Sequence, residues 1–172
     1  MDHFLFSGLS PQDLTYLIYN PLDGVSPLGL RLDLKSEDLP VEKMLMFRFI
    51  KQFLLDLREG QPLKLTQKGN LNRKFVHQLY DHRIITSKYV DDGKMKLLKE
   101  DDFYPIHFSH FITKMAGICK KYRNKLSLTK KGEKLLDDDA ALYIALLKAY
   151  TEKFNWAYMS YDPENVAQLG WG

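Results

Sequence analysis

Ala116-Gly117-Ile118-Cys119-Lys120-Lys121-Tyr122-Arg123-Asn124-Lys125-Leu126-Ser127-Leu128-Thr129-Lys130-Lys131-Gly132-Glu133-Lys134-Leu135-Leu136 is the stretch on which the fold turns. Gly117 follows a helical apolar pattern and suits the left-handed residue that terminates a helix. Ile118 to Arg123 is short and strand-like, Asn124 sits at a turn, and Lys125 to Thr129 returns as a second strand. Thr129 is placed to cap a helix, whose apolar face begins with Leu135 and Leu136.

Working outward, the leucine alternation has an earlier copy. Leu63-Lys64-Leu65-Thr66-Gln67-Lys68-Gly69 matches Leu126-Ser127-Leu128-Thr129-Lys130-Lys131-Gly132, and the segments around the two copies do not match. Each copy predicts a half-buried strand running into a helix capped by its threonine. The two strands, Leu63 to Thr66 and Leu126 to Thr129, are expected in one antiparallel sheet with Ile118 to Tyr122. After the first copy, Leu71, Phe75, Val76, Leu79 and Tyr80 fall at helical spacing. Upstream, Pro40 precedes a long helix from Val41 to about Arg58, with Leu45, Met46, Phe49, Ile50, Phe53, Leu54 and Leu57 as its buried side.

Arg83 to Asp102 is polar and weakly patterned, with a turn at Asp91-Asp92-Gly93. Ile106, Phe108, Phe111, Ile112 and Met115 then form one helix face, which predicts that Phe111 is buried between the Val41 helix and the last long helix. That last helix begins near Asp139 and carries Leu142, Tyr143, Leu146, Leu147, Tyr150 and Phe154. The acids Asp137-Asp138-Asp139 suit its positive end. At the other end of the chain, Ser10-Pro11-Gln12-Asp13 starts a short helix with Leu14, Leu17 and Ile18 on its apolar side. Asn20-Pro21 closes it, and a loop through Asp23-Gly24, Pro27 and Gly29 comes next.

The expected fold is therefore mainly α with a small antiparallel β-sheet: a winged-helix-like core with extra N- and C-terminal helices. It divides into an extension over 1–40, a core over 41–150 and an aromatic-rich extension over 151–172. The Ala-Gly-apolar helix end, the basic hairpin and Leu128-Thr129-x-x-Gly132 together resemble the wing and following helix of bacterial regulators in the MarR and PadR families. The resemblance covers roughly Val41 to Tyr150. It implies a winged helix, a fold that serves both DNA binding and protein–protein contact. One departure stands out: about twenty residues separate the two central helices, where helix-turn-helix units have a tight turn. Gly8-Leu9-Ser10-Pro11, the paired Leu-Thr-x-x-Gly elements and Phe154-Asn155-Trp156 are also similar to a group of bacterial proteins, some linked to plasmids or transposons. Some of that group carry a C-terminal metal-binding cysteine motif, which has no counterpart in this sequence.

Composition narrows the function classes. The 172 residues, 45% hydrophobic and 27% charged, are globular in character. Apolar runs fall short of the ~20 residues that a membrane span needs. Met1-Asp2-His3 lacks the basic start of a secretory signal, and a single cysteine, Cys119, forms no internal disulfide. A cytoplasmic setting is expected. The net charge of +3 is unevenly spread, with +10 between Pro62 and Leu136 and −7 elsewhere. A polyanion such as DNA or RNA would meet the middle of the chain.

Nucleic-acid contact then selects its residues. His107, His110, Thr113 and Lys114 make the polar side of the helix before Gly117, where base edges would be read. Lys120, Lys121, Arg123, Asn124 and Lys125 make the wing that grips phosphates, and Arg73, Lys74 and His77 lie on the preceding helix. The alternative is a protein-interaction or scaffold module. Phe4, Phe6, Trp156, Tyr158, Tyr161 and Trp171 crowd the two ends, and aromatics of this kind either anchor interfaces or fold back on the core. A continuous basic face would favour nucleic acid, whereas an apolar groove would favour a protein partner.

Signs of catalysis are weak. No phosphate-binding glycine loop, Gly-x-Ser-x-Gly or zincin motif occurs, so no enzyme and no cofactor are expected. His107 and His110 share a helix at a spacing of three, without a third metal ligand evident from the pattern. Cys119 reads as a core residue rather than a nucleophile.

Overall fold

A computed structural model of the chain describes residues 10–19 and 33–153. The aromatic positions Phe4, Phe6, Trp156, Tyr158, Tyr161 and Trp171, the loop through Asp23-Gly24, and the side chains of Leu14, Leu17 and Ile18 lie outside the described residues. The chain divides into two units, one formed by Lys35–Phe154 and the other by Met1–Leu34 with Asn155–Gly172. In the latter, helix α1 spans Pro11–Tyr19. Its start is the expected cap: the Asp13 amide donates to Ser10 Oγ at 3.1 Å, and the Ser10 hydroxyl donates to the Asp13 carboxylate at 2.7 Å.

The larger unit is built on helix α2, Leu45–Gly60, which comes after a single 3-10 turn at Val41–Lys43. Phe49, Ile50, Phe53, Leu54 and Leu57 are buried along it, as their spacing requires. Phe47 joins them, whereas Leu45 is exposed, because Met44 rather than Pro40 is the residue at which the helix begins. Next in order are β1 (Leu63–Lys64), α3 (Arg73–Asp81), the one-turn α4 (Lys88–Asp91), α5 (Tyr104–Met115), β2 (Cys119–Tyr122), β3 (Lys125–Leu128), α6 (Lys130–Leu135) and α7 (Asp139–Lys148). A π-helical turn over Ala149–Lys153 continues α7.

The architecture is mainly α with one small sheet. Its three antiparallel strands run in the order β1-β3-β2, so the two Leu-x-Leu segments are neighbours, as expected. Leu63 faces Leu126 and Lys64 faces Lys125, while Cys119, Lys120, Lys121 and Tyr122 face Leu128, Ser127, Leu126 and Lys125. The β2–β3 turn needs only Arg123 and Asn124, at φ 45° and 60°. Consecutive left-handed residues give a turn whose twist matches that of the strands. Asn124 tolerates this conformation well and also braces the sheet, its amide donating to the Leu65 and Thr66 carbonyls at 3.1 and 2.9 Å.

The acidic start of α7 and the buried cysteine both fit the sequence reading. Asp138 caps α7 by accepting the Ala141 amide at 3.0 Å, and that bond holds its carboxyl below the usual range. Cys119 is buried in the core, and burial pushes its thiol up to about 12.

Helix α5 differs from the sequence expectation in its rotation. His110 and Thr113 are buried, while Phe111, expected in the core, is 41% exposed. Apolar residues occur so widely around α5 that spacing alone leaves its inward side undecided. Polar partners inside the core decide it. The Glu100 carboxylate, itself buried, bonds His110 Nδ1 at 3.0 Å, and the Thr113 hydroxyl donates back to the Ser109 carbonyl at 2.7 Å. The Thr113 hydroxyl is thereby satisfied away from water and His110 is held through Nδ1, while its Nε2 is buried without a hydrogen-bond partner among the described residues; Ile106 and Ile112 fill the space beside them. The Arg83 to Asp102 stretch is correspondingly less of a surface loop than its polarity implies, since Leu97 and Glu100 are both buried.

Candidate nucleic-acid interface

The sheet positions the basic side chains. Alternation along each strand sends every second residue to the opposite face. Leu126 and Leu128 point to the core with Cys119, so the solvent face carries Lys120, Tyr122 and Lys125. The register adds Lys64, which is exposed and lies directly across from Lys125. Lys64 was not evident from the sequence. Its signal was the alternation Leu63-Lys64-Leu65, but only the pairing of β1 with β3 brings it to this face.

Arg123 completes the patch from the turn. Its guanidinium stands 5.2 Å from the centre of the Tyr122 ring, and Tyr122 is 64% exposed. No acidic side chain occurs in the three strands, and among the described residues none of Lys64, Lys120, Arg123 and Lys125 has an ion-pair partner. Like charges directly opposite each other destabilise a strand pair, so Lys64 and Lys125 together hold an unbalanced positive field.

The other wing residues are placed differently. Lys121 shares a register position with Leu126 on the core-facing side, and its ammonium reaches the turn at Gly69. Asn124 is half-buried and committed to the backbone of the first leucine copy, so it braces the wing rather than presenting itself to a ligand. Arg73 and Lys74 are exposed on the first turn of α3. They adjoin β1, because Asn72, which caps α3 by accepting the Phe75 amide at 3.0 Å, also donates to the Lys64 carbonyl at 2.9 Å.

The would-be base-reading residues are not brought together. His110 and Thr113 face inward, held by Glu100 and the Ser109 carbonyl where no nucleic acid can reach. The exposed stripe of α5 is Tyr104, His107, Phe111 and Lys114, with a single permanent charge. At the start of the helix, His107 Nδ1 lies 3.0 Å from an Asp101 carboxylate oxygen and 3.7 Å from one of Glu100. Burial alone would raise the Glu100 carboxyl. The His110 hydrogen bond and charge, the Leu71 amide and the His107 charge outweigh it and hold the group below its ordinary value.

Basic strands and a short turn laid against a helical core define a class of small α-rich domain with a charged hairpin. Residues 42–141 match the Y4jL N-terminal domain, and the chain belongs to that family. The match runs from the 3-10 turn before α2 into the first turn of α7, and so takes in the whole sheet. No curated protein and no solved structure matches the chain. Among the described residues, no helix is long and apolar enough to cross a membrane.

Proposed function

We propose that this chain is a winged-helix-like nucleic-acid-binding module that grips the phosphate backbone with the solvent face of its sheet. The order helix, strand, helix, helix, strand, turn, strand, helix supports the winged-helix reading. The observation that carries the binding role is the basic face of Lys64, Lys120, Arg123 and Lys125, without ion-pair partners among the described residues, in which two lysines stand directly opposite each other. A polyanion relieves that repulsion by replacing the counterions that gather there. Because α5 turns His110 and Thr113 inward, the grip is electrostatic rather than a base-by-base reading in the major groove.

The test is a binding isotherm with generic DNA across a salt series. Replacing Lys64, Lys120, Arg123 and Lys125 with Ala removes up to four phosphate contacts. The slope of log affinity against log salt then flattens by up to ~4 units, without loss of fold. Absence of binding by the wild-type protein at ~50 mM salt, where nonspecific association is strongest, would overturn the reading. A second reading, a protein-interaction module, draws on the apolar groove between α2, α5 and α7, which is lined by Leu45, Phe108, Tyr143 and Leu147. It predicts no salt-dependent binding to nucleic acid.

A further inference from the structure

We propose that Glu100, Asp101 and His107 form a binding site for one divalent transition-metal ion. This inference stands apart from nucleic-acid binding. The three residues come from the 3-10 turn Glu100–Asp102 and the first turns of α5. One ligand atom from each, two carboxylate oxygens and an imidazole nitrogen, lies within 4.8 Å of the others. A tetrahedral ion with ~2.1 Å bonds sets its ligand atoms ~3.4 Å apart. The spacings from His107 Nδ1, 3.0 Å to Asp101 and 3.7 Å to Glu100, lie on either side of that value.

A second observation points to a cation independently of this convergence. Glu100 is only 4% exposed, and among the described residues no lysine or arginine comes within ion-pair reach of it. Its charged partners are imidazoles, which are cations only when protonated. A metal ion at this point would add a permanent positive charge beside the buried carboxylate, with the imidazole of His107 as a ligand.

The surroundings aim the ligands. His110 Nδ1 reaches both Glu100 oxygens, Oε1 at 3.1 Å and Oε2 at 3.0 Å, and the Leu71 amide at 2.6 Å fixes Oε2, with Oε1 lying 3.7 Å from His107 Nδ1. Lys99 engages Asp101 Oδ2 at 3.2 Å and leaves Oδ1 for the site. Asp101 and His107 are exposed, so water can fill the remaining coordination positions. One nitrogen among the donors favours zinc over calcium or magnesium, which prefer oxygen alone.

The test uses the full chain, stripped of metal with a chelator and titrated with Zn2+ in a calorimeter, with thermal unfolding read in parallel. The expected result is binding of about one ion per chain together with a raised melting temperature, neither of which Mg2+ produces. Asp101→Asn and His107→Ala, both at exposed positions, leave metal-free melting near wild type and weaken Zn2+ binding by at least ~10-fold. His77→Ala, on α3, leaves binding unchanged. The proposal is overturned if Zn2+ neither binds nor shifts melting, if Mg2+ acts equally, or if affinity survives His107→Ala or Asp101→Asn.

Discussion

Leu63 to Gly69 and Leu126 to Gly132 share a pattern of residues and diverge in structure after the threonine. In the second copy Thr129 caps α6 at once, accepting the Gly132 amide at 3.0 Å and donating to the Gly117 and Ile118 carbonyls. In the first, Thr66 closes a turn instead. The Gly69 amide returns to the Thr66 carbonyl at 2.8 Å, the Asn70 amide to its hydroxyl at 3.1 Å, and Gly69 adopts φ 88°. The next helix, α3, waits for its own cap at Asn72. The residues after the glycine make the difference. Asn70-Leu71-Asn72 favours turns and caps, whereas Glu133-Lys134-Leu135 continues a helix. Long-range contacts then lock each outcome, since Glu100 takes the Leu71 amide while Ile118 lies against Gly132.

The glycines therefore do opposite work, and substitution separates them. The largest effect belongs to Gly132→Ala, because the added methyl would lie 2.3 Å from the Ile118 carbonyl oxygen, a rigid backbone neighbour. Chemical denaturation should show a loss of ~3 kcal/mol, even though alanine favours helices elsewhere. A neutral result would mean that α6 does not pack so closely against Ile118 at the start of β2. Gly69→Ala is milder. It places alanine in the left-handed region at a cost of about 1–2 kcal/mol, and the only near atoms belong to the flexible end of Lys121.

The threonines sharpen the same contrast at a smaller scale. Thr129→Ala removes a helix cap and should cost ~1 kcal/mol or more in denaturation. Thr66→Ala, which removes only one hydroxyl contact within a turn, should cost less than half as much. Equal losses at the two positions would show that Thr66 stabilises α3 after all.

Helix α5 shows where sequence patterning runs out. Both leucine strands, the turn at Asn124, the Ser10 cap, the acidic start of α7 and the apolar side of α2 were all legible, because each depends on neighbours a few residues away. The inward turn of His110 depended on Glu100, which sits in a stretch that reads as solvent-exposed by polarity alone. Polar residues on a helix signal a wet face only when nothing polar waits inside. The same blind spot hid the two carboxylates beside His107, since Glu100 and Asp101 lie on a separate turn against α5.

By itself, the sequence determined that this chain makes helices around a small sheet with a short basic hairpin. Alternation, caps and left-handed turn residues are local preferences, and local preferences survive without knowledge of the rest of the chain. The tertiary structure alone decided which charges act together. Register placed Lys64 beside Lys125, and a buried carboxylate rotated α5, because long-range pairing and the satisfaction of buried polar groups are set by partners distant in sequence or unmarked by its pattern.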